Sequence, residues 1–330
     1  MSPPADTAVE PLAGVAEPGP RIRSRRNLGD RIWASVLTAA GGGVLLVAGL
    51  IVAVVSRAAE PAFRTLGVGR FLLGEDWDPV AGSFGALPFI YGTLVTSALA
   101  LAVALPVAVG LGLFLAEMGP PRLRPPVAFA IETLASIPSV VYGLWGLFVL
   151  VPWLRGGLEP ALGHALGFLP LFRGPPLGLG YLSAGLLLAI MILPTIASVT
   201  LEVLRTVPPA LREGALALGA TRWEMIRLAV LPHARAGILG AALLGLGRAL
   251  GETMAVTMVI GNAPEIHASL FAPGYSLPSV IANEFSEATG PLHTAALSAL
   301  ALVLFGVTLV LNGLARVLVL VTRSRAERAA

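Results

Sequence analysis

The sequence predicts an all-α membrane protein built as a bundle of six transmembrane helices. Its 330 residues are 56% hydrophobic and only 12% charged, with a mean hydropathy of +0.84. A soluble domain carries about a quarter charged residues. Several apolar runs exceed the roughly 20 residues that a helix needs to cross a bilayer. Those runs are continuous rather than alternating with a period of two, so helices, not the strands of a closed barrel, satisfy the backbone in lipid.

The elements follow in order. Residues 1–30 are rich in Pro, Ala, Gly and Arg without apolar periodicity, which predicts a disordered tail. The tail ends in the basic run RIRSRRNLGDR. As the n-region of a signal peptide it would precede a short apolar core, and the run Ile32 to Ser56 is too long for that, which favours a retained anchor. Hydropathy then sets spans at about 32–56, 88–116, 127–151, 181–203, 235–261 and 295–321. The expected organisation is a tail over 1–30, a membrane domain over 31–322 that includes a long loop at 204–232, and a second tail at 323–330. Pro106, Pro138 and Pro194 fall inside spans. Membrane helices tolerate such breakers where neighbours or water satisfy the freed carbonyls, so a kinked bundle with a cavity is expected.

Arginine placement sets the orientation. With six spans, Arg21, Arg23, Arg25, Arg26, Arg31, Arg122, Arg124, Arg205, Arg212, Arg222, Arg227, Arg316, Arg323, Arg325 and Arg328 all fall on one side. The opposite loops hold Glu60, Glu75, Asp76, Asp78, Glu159, Glu265, Glu284 and Glu287 with fewer arginines. Both termini are therefore expected in the cytoplasm. An odd number of spans would scatter the arginines to both sides.

Several chemistries are excluded. With no cysteine there is no disulfide and no thiolate nucleophile or ligand. His164, His233, His267 and His293 are scattered without ligand spacing, so no metal is expected. There is no GxxxxGK[ST] phosphate loop, no GxSxG and no paired-Asp constellation, which argues against an enzyme and against ATP hydrolysis by this chain. All 22 basic residues are Arg, a compositional bias, and no basic, aromatic-laced stretch points to nucleic acid. Membrane lipid is the partner that the composition demands, and no cofactor is expected.

The loop 204–232 reads LRTVPPALREGALALGATRWEMIRLAVLP. Pro208 and Pro209 break the preceding helix. A short helix over 210–219 is expected to end at Gly219, a favoured residue just past a helix C-terminus. A second, over 221–230, is expected to end near Pro232. Leu211, Ala215 and Leu218 share one face, while Arg212, Glu213 and Arg222 are polar. Taken alone, this is either an amphipathic segment lying on lipid or a knob that docks into a groove on a soluble partner.

The loop resembles the signature of importer-type ABC permeases, E-A-A, three residues, G, nine residues, I-x-L-P. Glu213, Ala215, Gly219, Leu231 and Pro232 stand in register, with departures at Gly214 and Ala229. The resemblance implies that the first short helix couples to a separate ATPase subunit, with Gly219 turning the chain between the two helices. Four further blocks, YGTLVTS (91–97), IPSVVYGLWGLF (137–148), GLGRALGETMAVTMVIGN (245–262) and ANEFSEA (282–288), resemble the phosphate-specific permease family PstC. The likeness runs from about residue 30 to 320. It implies a six-helix ABC importer permease in a bacterial inner membrane, paired with a PstA-type permease. A PstB-type ATPase dimer would bind the ATP, and a PstS-type phosphate-binding protein would deliver the substrate. The PstA-type sister and a permease for another oxyanion, sulfate or molybdate, are the alternatives. A secondary anion transporter is a rival of another class, against which the coupling loop argues.

Arg248 and Glu252 stand four residues apart inside an apolar run. A charge at the centre of a membrane helix costs roughly 2.5–3.5 kcal/mol on insertion scales, so neither is expected to face lipid. Mutual neutralisation is a weak reason for them, since Arg before Glu is the less favourable order. A bond to a neighbouring helix is one explanation. The other is a waypoint for an anion, with the planar guanidinium matching phosphate oxygens and Glu252 tempering the field so that the anion leaves again. Gly247 and Gly251 are expected to let another helix approach closely. Glu132, Ser136 and Ser139, at i, i+4 and i+7, are expected to form a polar face on the third span and to be further candidates for the pathway.

Overall fold

The structure, a computed structural model, describes residues 28–327. The tail expected over 1–30 therefore lies outside the described residues as far as residue 27. Among the described residues, six helices are long and apolar enough to cross a membrane. The chain divides into two units, Met1–Ile51 and Val52–Ala330.

In the first unit the described part is the opening of helix α1 (Leu28–Leu66). Its residues from Gly29 to Ile51 are all exposed, among them Ile32, Val36, Leu45 and Leu50. An apolar surface of this kind suits lipid, not water. Ser35 and Thr38 turn their hydroxyls back onto the carbonyls of Arg31 and Ala34, at 2.8 and 2.7 Å, so neither hydroxyl is left as a free donor on that surface.

In the second unit, the end of α1 leads to α2 (Val68–Leu73) and a small antiparallel hairpin, β1 (Trp77–Asp78) and β2 (Ser83–Phe84), with Trp77 opposite Phe84. The remaining helices are α3 (Leu87–Met118), α4 (Arg124–Ser136), α5 (Ser139–Leu166), α6 (Tyr181–Arg205), α7 (Pro209–Ala217), α8 (Arg222–Gly251), α9 (Met254–Val259), α10 (Leu277–Glu284) and α11 (Pro291–Glu327).

The core is built on α6, which packs mainly against α3 and α8. Tyr181, Leu187, Ile192, Ile196 and Leu204 of α6 have no exposed surface. The contact with α3 follows a run of small residues at every fourth position: Gly92, Thr96, Ala100, Ala104, Ala108 and Gly112, all buried. Small side chains let two membrane helices approach until their backbones nearly touch, and dispersion then replaces the hydrophobic effect that lipid cannot supply. The fit is tight, since a Cβ added at Gly112 would sit 2.9 Å from Thr200 Cγ2.

The third and fifth spans depart from the expected boundaries. The segment expected as one helix over 127–151 is two. α4 stops at Ser136, Ile137 is extended (φ −66°, ψ 129°), and α5 starts at Ser139. The ring of Pro138 drives the residue before it out of the helical region. The fifth span starts at Arg222 and ends at Gly251 instead of running over 235–261. Pro232 does not end the second short helix. A π-turn at Ile226–Val230 widens the chain just before it, with Leu231 N–H bonded to Ile226 O, and the helix runs on. That wider turn takes up the clash and the missing donor that a proline normally imposes. The sixth span continues as helix to Glu327, through part of the expected tail at 323–330.

Candidate functional site

The site is built where the fifth span breaks. α8 ends at Gly251, and Glu252 is extended (φ −72°, ψ 126°). The six-residue α9 then follows, before Gly261 and Asn262 turn the chain at φ 93° and 53°. Arg248 and Glu252 therefore do not share one helical face, as their spacing predicts. The helix ends between them and their side chains go separate ways. Arg248 is half-buried and donates from Nη1 to Thr195 Oγ1 of α6 at 3.3 Å. Among the described residues it makes no ion pair. Glu252 turns to α9, where Oε1 accepts from Ala255 N at 3.4 Å.

Irregular backbone persists at membrane depth only where protein buries it or water wets it. The break thus joins a guanidinium with donors to spare and a carboxylate held a few residues away, while Thr253 and Thr257 turn their hydroxyls back onto Gly251 O and Thr253 O. Among the described residues, nothing packs against the face formed by Gly247 and Gly251. A Cβ added at Gly247 or Gly251 would meet nothing within 4 Å. No helix among the described residues approaches these glycines, and their small size leaves room next to Arg248.

The break at Pro138 cuts Ser139 off from Glu132 and Ser136, which stay together on α4, so the three-residue polar face expected of them does not form. Ser136 bonds back to Thr133 O at 2.8 Å. Glu132 is exposed and lines a cavity of about 340 Å³ between α4 and α6, with Ser198, Glu202 and Arg205. That cavity begins one turn along α6 from Thr195.

Within the 204–232 loop, α7 and the start of α8 are joined by a pair of caps. α7 ends in Gly219 at φ 86°, with Ala220 N–H bonded to Ala215 O at 3.2 Å and Gly219 N–H to Leu216 O at 3.0 Å. These are the two bonds of a Schellman cap. Thr221 and Glu224 then close a capping box at the start of α8. Glu213 is exposed on α7, Ala215 half-buried against Leu204, Val207 and Met225, Leu231 half-buried and Pro232 exposed on α8.

Three sets of residues emerge only from the structure. Arg212 of α7 makes a bidentate ion pair with Glu117 at the end of α3. Thr195 holds Arg248, and its position just after Pro194 was the available signal. Around α10, Glu284 Oε2 accepts from Trp77 Nε1 at 2.9 Å and lies 3.0 Å from His293 Nε2. Beside it, Asn283 donates to the Tyr275 hydroxyl at 2.9 Å, and burial pushes that phenol up to about 12. The ANEFSEA block thus ties α10 to the hairpin and to the start of α11.

A family described as "Binding-protein-dependent transport system inner membrane component" matches residues 108–323. "Phosphate transport system permease protein PstC" of Mesorhizobium japonicum is 46% identical over 316 residues, covering 92% of this chain and 96% of that protein. The chain belongs to this permease family, on its PstC branch. The PstC of Haemophilus influenzae is 50% identical over 255 residues, covering 76% of this permease and 81% of its relative, so the PstC assignment stands over the PstA alternative. By structure, the permease resembles a chain of a bacterial alginate ABC transporter in complex with alginate pentasaccharide-bound periplasmic protein. The TM-score is 0.57 at 19% identity, over 88% of this chain and 96% of that one. It also resembles a chain of the MetNI methionine ABC transporter, with a TM-score of 0.52 at 18% identity, over 71% and 94%. These structural likenesses show the fold alone; the family match, the PstC relatives and the six apolar helices make the chain a multi-pass inner-membrane permease.

Proposed function

We propose that this permease carries inorganic phosphate into the cytoplasm as one transmembrane subunit of an ATP-driven importer. The observation that carries the substrate is the 46–50% identity, over most of the chain, to permeases named for phosphate transport. The partners follow the same reading: a PstA-type permease, a PstB-type ATPase dimer that binds and hydrolyses the ATP, and a PstS-type phosphate-binding protein. Both termini lie in the cytoplasm, which the clustering of arginines supports. Glu213, Ala215, Gly219, Leu231 and Pro232 belong to the segment that meets the ATPase. ATP binding there drives alternating access in the bundle.

Arg248 is the anion waypoint in this scheme. Its charge lowers the barrier for a phosphate crossing a low-dielectric region, and its hydrogen bond to Thr195 leaves most of its donors for the substrate. Glu252 keeps the local field moderate, so that phosphate is bound and released. Glu132, Ser136 and Ser139 are secondary candidates for the pathway.

The test is radiolabelled phosphate uptake in cells stripped of their own uptake systems, with this chain and its partners co-expressed. ATP-dependent uptake that ignores excess sulfate is expected. Uptake competed by sulfate or molybdate would move the substrate to another oxyanion. Glu213→Lys should abolish uptake while the chain still inserts, and unchanged uptake would remove the docking role of α7.

A further inference from the structure

α7 is nearly free of the bundle. Of its nine residues, only Arg212 and Ala215 are shielded from solvent. Ala215 offers one methyl group to an apolar cluster. Arg212 does far more. Its Nη2 lies 2.8 Å from Glu117 Oε1 and its Nε 3.1 Å from the same oxygen, while Nη2 also donates to Leu204 O at 2.8 Å and Nη1 donates to Val207 O. One planar group thus grips the last turn of α3, the C-terminal carbonyl end of α6 and the turn that leads to α7. The two side chains are 22% and 6% exposed, so the pair is largely shielded from water.

We infer that the Arg212–Glu117 pair is the link through which a displacement of α7 is passed to α3 and α6. A buried ion pair is a poor device for stability alone, because desolvation offsets most of the attraction and apolar side chains of the same size do as well. Its distinctive property is direction. The guanidinium fork holds its partners at fixed angles, so tilt as well as translation is transmitted. Glu117 also sits in a π-turn, Phe114–Met118, the kind of local irregularity that recurs at functional positions in helices. Because α3 and α6 share the small-residue seam, and Thr195 of α6 holds Arg248, the link reaches the break in the fifth span through one packed unit. Arg212 and Glu117 are positioning residues for the cycle and touch no substrate.

This inference rests on the transport reading, and the two can fail separately. The experiment uses the complex copurified with its ATPase and reconstituted in vesicles. It measures oxyanion imported per ATP hydrolysed for wild type, Glu117→Gln, Arg212→Lys and the double variant. Inorganic phosphate is the first probe, and sulfate or molybdate replaces it if the wild type prefers them. The expected result is a fall of about ten-fold in the ratio for each single variant. Hydrolysis should persist, and the double variant should be no worse than the singles, since the two act as a unit. A wild-type ratio in both single variants would overturn the inference. So would loss of ATPase copurification in both, which would make the pair a fastening and not a transmitter. A wild-type complex that imports none of the three oxyanions would remove the transport reading itself.

Discussion

At the scale of single residues, Arg248 and Glu252 are visible because a cation and an anion interrupt an apolar run. Their relation is not visible. The i,i+4 spacing suggests a pair, yet the helix ends at Gly251 and each charge takes its own partner. Gly251 was the available signal, since glycine is common at helix ends, but in membrane sequences it serves equally for packing. A thermal-unfolding cycle checks the separation. Arg248→Ala and Glu252→Gln should be additive to within about 0.5 kcal/mol, and a coupling well above that would mean that the charges meet. In flux, Arg248→Ala should lower phosphate uptake about ten- to hundred-fold with the complex assembled, the worth of a lost charged hydrogen bond. Failure of assembly would instead favour a structural role for this arginine. Arg212 and Glu117 were legible only in part. The sequence marks Arg212 as a polar residue of the loop and Glu117 as just beyond a span, 95 residues away, and no local pattern joins them.

At the scale of elements, the existence of each span was legible, and the boundaries of several, the third and fifth above all, were not. Hydropathy reports where apolar residues lie but not how a proline is accommodated. Pro138 breaks its helix because Ile137 takes an extended conformation, whereas Pro232 is absorbed by a π-turn. The seam along α3 follows the same rule of sterics. Gly112→Leu should destabilise the chain by about 1–3 kcal/mol in detergent, because the added atoms meet Thr200. Gly247→Leu, with open space around it, should leave the unassembled chain within about 0.5 kcal/mol of wild type. Equal effects from the two substitutions would contradict the packing described here. At Gly219 the space is also open, and the φ of 86° alone sets the cost. Gly219→Ala should weaken the α7 turn by about 1–2 kcal/mol, read as faster amide exchange at Ala220.

At the scale of the whole molecule, the arginine pattern predicts the side on which each loop lies. A reporter fused at the C-terminus should read as cytoplasmic, and one inserted in the 263–274 loop as external; the reverse result would invert the topology. The break beside Thr195 also bears on biogenesis. Arg248 has no carboxylate partner among the described residues, and its hydrogen-bond acceptor lies 53 residues earlier in the chain. A helix with a lone guanidinium is costly to release among lipid tails, by roughly 2.5–3.5 kcal/mol. The ribosome, however, delivers the fourth span before the fifth. Span five therefore leaves the insertion machinery with its acceptor already waiting, and the order of synthesis is also the order in which this charge becomes tolerable in the bilayer.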